Sequence, residues 1–396
     1  MTLKSQGKVS AYALHLAAMI KKECGELDNA ISLLVAALKL NPTSIFYKIS
    51  LARCFYLNGS YSRAIDTLSE LETVSNWHIH HLIGISWVAL KDYPKASYFL
   101  SKALSLGRKL QTYIEFGHLY FIMADAANRK GDTEQYNLLF QNCLAQFKEA
   151  AASEPHSIAP LREAAKCCLQ MGLSSEAFQF IGNALTRNPS DPECAFMAAC
   201  IIQQKGDIMP ALSKYRISIF HIPEHPFIWN NIGMGYYGLC RQNESNPSVC
   251  KGHSLRALGC LFKASTLAPL NWRIRYNLGL VCLFCERDVD AFRQLSAAIG
   301  LKPNHPALLM LFGIAVSRLG DHKNANNAFR RSISISDCAL VRINYAIVCH
   351  RAKRNSEANS MLSKATGSLM DEKGEYIYDD REMREKISLL RGELNE

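Results

Sequence analysis

Two cysteine pairs are the first residues in this sequence whose spacing could serve metal or redox chemistry. Cys282 and Cys285 have C-x-x-C spacing, and Cys167 and Cys168 are adjacent. A structural zinc site needs a second pair of ligands, and none occurs at zinc-ribbon spacing in the sequence. Both pairs lie in apolar stretches with helical periodicity, where cysteine commonly acts as a small buried residue. We therefore interpret them as structural thiols without a bound metal.

A histidine cluster is the second candidate for metal binding. His78, His80 and His81 would need a distant fourth ligand to hold an ion, so we interpret them as the polar start of a helix. The sequence contains no phosphate-binding loop, dinucleotide-binding glycine motif or H-E-x-x-H motif. Gly233-x-Gly235 fits two small residues within a helix. These observations predict a protein that is not an enzyme and has no cofactor.

Three asparagines are the leading candidates for binding. Asn231, Asn277 and Asn344 each lie two residues before a small residue in a similar apolar context, so we expect them at equivalent places on different helices. A side-chain amide offers both a donor and an acceptor, and this amide ladder could pair with the backbone of a bound peptide. Contacts between the helices themselves are the alternative.

Basic residues gather towards the C-terminal end and form a candidate contact patch. Its members are Arg330, Arg331, Arg342, Arg351, Lys353 and Arg354. The whole chain has 45 basic and 35 acidic residues, and its formal charge of +10 favours an acidic protein segment, a lipid headgroup or nucleic acid without choosing among them. The patch could bind an acidic partner, and a solvated convex face is the alternative.

These binding candidates lie in a sequence that repeats itself. A small residue recurs at intervals of 34, 32, 33, 48, 34, 34, 46, 34 and 33, and seven of the nine intervals lie within two residues of 34. That period is typical of tetratricopeptide helix–turn–helix units, in which small residues mark where two helices touch. The recurring residues are Ala18, Ala52, Gly84, Gly117, Ala165, Ala199, Gly233, Gly279, Gly313 and Ala346.

The repeat predicts an all-α, right-handed superhelical solenoid of about ten units, because a helix pair buries its apolar face only against neighbouring pairs. The fourth unit should have two lengthened helices. In the seventh, residues 241–252 are rich in Asn, Ser and Pro and predict an exposed insert loop. Residues 1–10 form an N-terminal segment, and residues 372–396 form a charged helix that caps the last repeat, or a frayed tail. The units lie near 11–44, 45–76, 77–110, 111–157, 158–191, 192–225, 226–271, 272–305, 306–338 and 339–371.

Composition predicts a soluble intracellular protein. A hydrophobic content of 48% excludes a disordered chain. No apolar run is long enough to cross a bilayer, and the N-terminus lacks the apolar core of a signal peptide. The 14 cysteines lack the spacing of a disulfide framework, which favours a reducing compartment.

The sequence is more specific than a generic repeat between residues 182 and 299. It contains Trp229–Met234 (WNNIGM), Leu267–Ile274 (LAPLNWRI) and Tyr276–Val281 (YNLGLV). These residues closely resemble the family of Bardet–Biedl syndrome 4 proteins, tetratricopeptide subunits of the BBSome, and the resemblance is strongest over 160–350. It implies a non-enzymatic scaffold in ciliary membrane-protein trafficking and cilium assembly. The implied location is the cytoplasm, the cilium, its base and the centriolar region.

The same resemblance implies a set of partners. They are other BBSome subunits, including a second tetratricopeptide subunit and a small extended subunit, together with pericentriolar satellite and dynein–dynactin components. Nucleic acid is not among them, and membrane contact would come only through the complex. The alternatives are a tetratricopeptide scaffold of another assembly, such as a cell-cycle ubiquitin ligase or a chaperone adaptor, and the substrate-recognition arm of an enzyme. The last requires a catalytic domain, for which the repeats leave about thirty residues.

Overall fold

Antiparallel helix pairs make up the part of the chain that the structure describes. The computed structural model describes residues 10–369, 387–392 and 394, and these residues contain no β-strand. They belong to two compact units, Met1–Pro189 (unit 1) and Ser190–Glu396 (unit 2). The all-α fold class built from tetratricopeptide-type pairs is confirmed. Residues 1–9 of the predicted N-terminal segment lie outside the described residues, as do residues 372–386, 393, 395 and 396 of the predicted C-terminal helix or tail.

Unit 1 contains five helix pairs. Each of the five second helices begins two residues after a glycine or a lysine in the left-handed conformation, which ends the helix before it. The helices are α1 (Ala11–Glu23), α2 (Leu27–Leu40), α3 (Ile45–Leu57), α4 (Tyr61–Ser69), α5 (Trp77–Ala89), α6 (Tyr93–Leu106), α7 (Leu110–Lys130), α8 (Thr133–Ser153), α9 (Ala159–Gln170) and α10 (Ser174–Arg187).

Unit 2 contains five further pairs. Prolines begin several of its helices, at a position where the missing backbone donor costs no hydrogen bond. The helices are α11 (Pro192–Gln204), α12 (Ile208–His221), α13 (Pro226–Gln242), α14 (Pro247–Leu267), α15 (Trp272–Phe284), α16 (Asp288–Leu301), α17 (Pro306–Arg318), α18 (His322–Ile335), α19 (Ala339–Arg351) and α20 (Asn355–Leu369).

The small residues of the repeat lie where the two helices of a pair approach most closely. A Cβ atom added to Gly279 would lie 2.6 Å from Leu295 Cγ, and one added to Gly84 would lie 2.8 Å from Leu100 Cγ. A larger side chain would therefore push the second helix away. The other repeat positions named above are also buried: Ala165, Ala199, Gly233, Gly313 and Ala346.

The prediction of an exposed loop at 241–252 is wrong. α13 continues to Gln242 and α14 begins at Pro247, so only four residues separate the two helices. Asn246 caps α14, because its side-chain oxygen accepts a hydrogen bond from the Val249 backbone. The extra residues of this unit thus lengthen both helices. The predicted lengthening of the fourth unit is present too, with 21 residues each in α7 and α8.

A disulfide joins the lengthened helices of the seventh unit. It links Cys240 near the end of α13 to Cys250 in the first turn of α14. The cysteine spacing did not predict this disulfide. The bond closes only a short turn, and its two cysteines belong to no disulfide-framework pattern. The other twelve cysteines form no disulfide in the part of the chain that the structure describes.

The described end of the chain packs on unit 2. Residues 387–392 are helical, and Ile387 and Leu390 are buried in the core that also contains Leu362 and Tyr345. An apolar face of the last repeat is covered at this place. Among the described residues, no helix combines the length and apolar character needed to span a membrane.

Candidate functional site

Two members of the amide ladder bond to neighbouring repeats. Asn231 on α13 donates from Nδ2 to Cys200 Sγ on α11, at 3.3 Å. Asn277 on α15 donates from Nδ2 to Asn230 Oδ1 on α13, at 2.9 Å, and Asn230 in turn donates to Asn231 Oδ1 at 3.1 Å. The side chains are half-buried. Their N–H groups therefore join the first helices of successive pairs.

The third member of the ladder makes similar contacts. Asn344 Nδ2 donates to Leu340 O at 2.8 Å within α19, and lies 3.5 Å from Met310 Sδ on α17. Neither Asn344 Oδ1 nor Asn277 Oδ1 accepts a hydrogen bond from any described residue. The structure thus places the three asparagines at equivalent positions, with donors engaged inside the unit and two acceptors still open.

Three of the six residues of the predicted basic patch are paired with acidic side chains. Arg342 Nε donates to Asp337 Oδ1 at 2.6 Å, while Arg354 and Arg330 approach the Glu357 carboxylate at 2.9 and 3.7 Å. The Asp337 pair is the first cause of the raised pKa of Arg342. Two carboxylates thus face three arginines, so one of the three positive charges is not compensated.

The remaining patch residues separate into two kinds. Arg331 Nη2 donates to Asn304 Oδ1 at 2.9 Å. Arg351 and Lys353 are exposed, at the end of α19 and in the turn that follows it, and neither makes an ion pair with a described residue. Of the six predicted basic residues, Arg331, Arg351 and Lys353 therefore have no described carboxylate beside them, since the Asn304 amide is neutral.

The histidine cluster lies at the start of a helix, as predicted, but this helix start is buried and is not a polar surface. All three residues lie in the first turns of α5, where His80 and His81 are buried. His81 Nδ1 lies 3.1 Å from Thr112 Oγ1 on α7, and burial lowers the pKa of His81 to about 4. These imidazoles are neutral packing residues between helices.

Cys167, Cys168 and Cys282 lie in helices, as their apolar surroundings indicated, while Cys285 lies in the turn directly after α15. Burial raises the pKa of Cys168 and of Cys282 to about 12, which makes both thiols poor nucleophiles and poor metal ligands at neutral pH. No group of three or more metal-ligating side chains occurs within 10–369 or the described end of the chain.

An unexpected feature of unit 1 is a groove of about 590 Å³ across its first three helix pairs. We call it the α1–α5 groove. α1 contributes Met19 and Lys22, α3 contributes Phe46 and Arg53, and α5 contributes His78, among others. It could not be predicted from spacing, because its residues come from several repeats and include Gln111 on α7. The one sign of this groove in the sequence is Phe46, an aromatic residue in the first turn of α3, where a repeat needs no core side chain.

The first repeat matches a known family model. Residues 11–44, which form α1 and α2, match the model described as tetratricopeptide repeat. One solved structure, a monomeric mutant of IFIT1 with Gppp-AAAA, is similar over 98% of this chain and 91% of that chain, with a TM-score of 0.50. At 15% identity this likeness shows the fold alone.

Two curated relatives are similar over nearly the whole chain. BBSome complex member BBS4 of Bos taurus is 30% identical over 383 residues, covering 96% of this chain and 65% of the relative. BBSome complex member BBS4 of Mus musculus is 30% identical over 372 residues, covering 93% of this chain and 66% of the relative. The chain therefore spans just under two thirds of the length of these relatives.

Proposed function

The chain is a tetratricopeptide-repeat relative of BBSome complex member BBS4, and we propose that it is a non-enzymatic scaffold subunit of a BBSome-type complex. The observation that carries this proposal is the alignment with the bovine relative, which extends over 96% of the chain. A short shared motif would support only a common fold. Similarity across ten helix pairs supports a common set of surfaces.

We propose that its partners are the other subunits of that complex. A second tetratricopeptide subunit and a small extended subunit would contact the helix pairs, and pericentriolar satellite and dynein–dynactin components would be further partners. The protein would act in ciliary membrane-protein trafficking and cilium assembly, in the cytoplasm, at the ciliary base and in the centriolar region. Family resemblance supports each of these statements.

The test is affinity purification of the tagged full chain from ciliated cells of the same species, followed by mass spectrometry. We expect BBSome subunits in near-equal amounts with the bait. A Gly279→Trp variant is the matched control, since a large side chain beside Leu295 should separate α15 from α16. Recovery of a different assembly, with no BBSome or intraflagellar-transport component, would overturn the proposal.

In this proposal, fewer residues of the amide ladder bind the partner than the sequence suggested. We propose that Asn277 and Asn344 accept backbone N–H groups of an extended partner through the oxygen atoms that accept no bond from described residues. Replacing Asn231, Asn277 and Asn344 together by Ala should weaken binding of one partner without abolishing helicity. Unchanged recovery of every partner by the folded triple variant would contradict this role.

A further inference from the structure

The Cys240–Cys250 disulfide has one buried sulfur and one that an outside molecule can approach. Cys240 is buried, whereas Cys250 is half-buried and lines a cavity of about 740 Å³ beside the start of α14. Lys251 and Glu286 line the same cavity and are exposed, so the cavity reaches the surface. Thiol–disulfide exchange depends on which sulfur is accessible to attack. Here that sulfur belongs to Cys250.

The helix ends make the two sulfurs chemically different as well. Cys250 lies in the first turn of α14, where the positive end of the helix dipole stabilises a thiolate. Cys240 lies in the last turn of α13, where the negative end of the dipole disfavours one. In the reduced pair, Cys250 is therefore the nucleophile, and Cys240 is the thiol that keeps its proton.

Ser254 fits both redox states of this pair. Its hydroxyl donates to Cys250 O at 2.6 Å, so its oxygen can only accept a hydrogen bond from a sulfur. Ser254 Oγ lies 3.3 Å from Cys240 Sγ. A disulfide sulfur has no hydrogen to donate, but a Cys240 thiol would donate one to this oxygen. The buried thiol that reduction creates thus has an acceptor beside it.

The cavity suits a small thiol that carries both signs of charge. Lys251 and Glu286 make no ion pair with a described residue, and they offer one positive and one negative group. Glutathione carries carboxylates and an ammonium group, so it can meet both side chains. Cys285 also lines the cavity, but burial raises the pKa of its thiol, which makes it a poor internal nucleophile.

We propose that Cys240 and Cys250 form a reversible redox site that exchanges with a small zwitterionic thiol of the glutathione class. Their disulfide stands beside twelve cysteines that form none in the described part of the chain, which is not the pattern of a disulfide framework. Oxidation ties the end of α13 to the start of α14, and reduction releases them. The inference rests on this pair alone and is independent of the proposed complex.

Reduction takes two exchange steps. The thiolate of one glutathione attacks Cys250 Sγ, the bond between the two protein sulfurs breaks, and Cys240 leaves and takes up the proton that the glutathione released. A second glutathione thiolate attacks the mixed disulfide on Cys250, which releases oxidised glutathione and the Cys250 thiolate. The protein sulfurs gain two electrons and two protons, and the two glutathiones lose them. Oxidised glutathione reverses both steps.

The test places the purified full chain in glutathione buffers of graded reduced-to-oxidised ratio at one total concentration. Alkylation then traps the free thiols, and peptide mass spectrometry measures the state of each cysteine. We expect the Cys240–Cys250 pair to pass from dithiol to disulfide across the series. Its midpoint should lie at a ratio at least tenfold more reducing than that for mixed disulfides at the exposed Cys24 and Cys338, because its second sulfur is held close by.

Three variants identify the sulfur that exchanges. Cys240→Ser should accumulate a glutathione adduct on Cys250, since the resolving thiol is gone. Cys250→Ser should form at least tenfold less adduct on Cys240, because that sulfur is buried. Cys285→Ser is the matched control from the same cavity and should leave the midpoint of the pair within about twofold of the parent. Circular dichroism melting checks that each variant remains folded.

Four results would overturn the proposal. A pair that stays oxidised at every ratio is a permanent structural disulfide, and a pair that stays reduced at every ratio is no redox site. Equal adducts on Cys240 and Cys250 in the two single variants would show that access does not select the sulfur. Complete reduction by thioredoxin, with no reduction by glutathione, would assign the site to a protein dithiol in place of a small thiol.

Discussion

Single glycines set the distance between the helices of a pair, and this makes a strong prediction at Gly279. A Cβ atom there would lie 2.6 Å from Leu295 Cγ, closer than packed atoms can approach. Gly279→Ala should therefore lower the unfolding free energy by about 1–3 kcal/mol, in spite of the higher helix propensity of alanine. Urea denaturation followed by circular dichroism measures this change.

Gly300 supplies the matched control for that substitution. It lies near the end of α16, is exposed, and has no atom within 4 Å of the place where a Cβ would lie. Gly300→Ala should raise stability by up to about 1 kcal/mol, because only the propensity difference acts there. If the two variants shifted the midpoint in the same direction, close packing at Gly279 would not control this pair.

A second prediction at this scale concerns the pH dependence of an ion pair between α7 and α9. His118 Nε2 lies 3.5 Å from Glu163 Oε2. The hydrogen bond to Glu163 raises the pKa of His118. The same bond, supported by Lys166, lowers the pKa of Glu163 to about 2. The pair stabilises the fold when His118 is protonated and Glu163 is ionised.

The two pKa shifts define the pH range in which this ion pair stabilises the fold. The raised pKa of His118 gives stability that is full below about pH 6.5 and is lost as pH rises through the folded-state pKa. The lowered pKa of Glu163 gives stability that is full above about pH 4.3 and is lost as pH falls towards 2. His118→Gln should therefore cost most stability between about pH 4.3 and 6.5 and little near pH 8.5. Thermal melts across this range test it, and a pH-independent difference would exclude the ion pair as the cause.

The turns between paired helices are the next scale, and in three of them a non-glycine residue is left-handed: Lys91, Glu286 and Lys353. Gly172 ends α9 with φ +77°, while Glu286, at the corresponding turn after α15, has φ 57°. A non-glycine residue in this left-handed region costs about 1–2 kcal/mol relative to its usual conformations. Glu286→Gly should raise stability by about 1 kcal/mol and Gly172→Ala should lower it by a similar amount. Differential scanning calorimetry of both variants measures these shifts, and a fall in the midpoint for Glu286→Gly would show that its side chain contributes more than its backbone costs.

Helix boundaries show why the sequence predicts some elements and not others. The 34-residue period is visible because each pair needs a small residue where its helices meet, as at Gly84 and Gly279. The prediction of a loop at residues 241–252 was wrong because Asn and Pro are frequent in loops and also at the start of a helix. Asn246 and Pro247 turned out to begin α14. Local composition could not decide this, because the choice depends on how the extended helices pack.

At the scale of the whole molecule, sites are built by residues that the sequence keeps far apart. The asparagines could be found because they share one repeat position, but the bonds that engage their N–H groups come from the preceding helix pair, as in Asn277 to Asn230. The α1–α5 groove joins Lys22 to Arg53 across two repeats with no shared motif. Periodicity therefore predicts equivalent positions, and only the packed structure shows which side chains remain available.

The division of the chain into two compact units leads to a prediction about folding. Unit 2 contains a core in which Phe329 and Tyr345 are fully buried, with ring centroids 5.0 Å apart. Repeat arrays are stabilised by each pair and its immediate neighbours, so five consecutive pairs exceed the number needed for stability. The fragment 190–396 should fold alone, with strong helical ellipticity and a cooperative melting transition. Tyr345→Ala in the same fragment should lose about 3–5 kcal/mol, through lost burial and the lost bond to Glu357 Oε1 at 2.7 Å. A fragment that is unfolded without residues 1–189 would show that the core of unit 2 is insufficient to fold it.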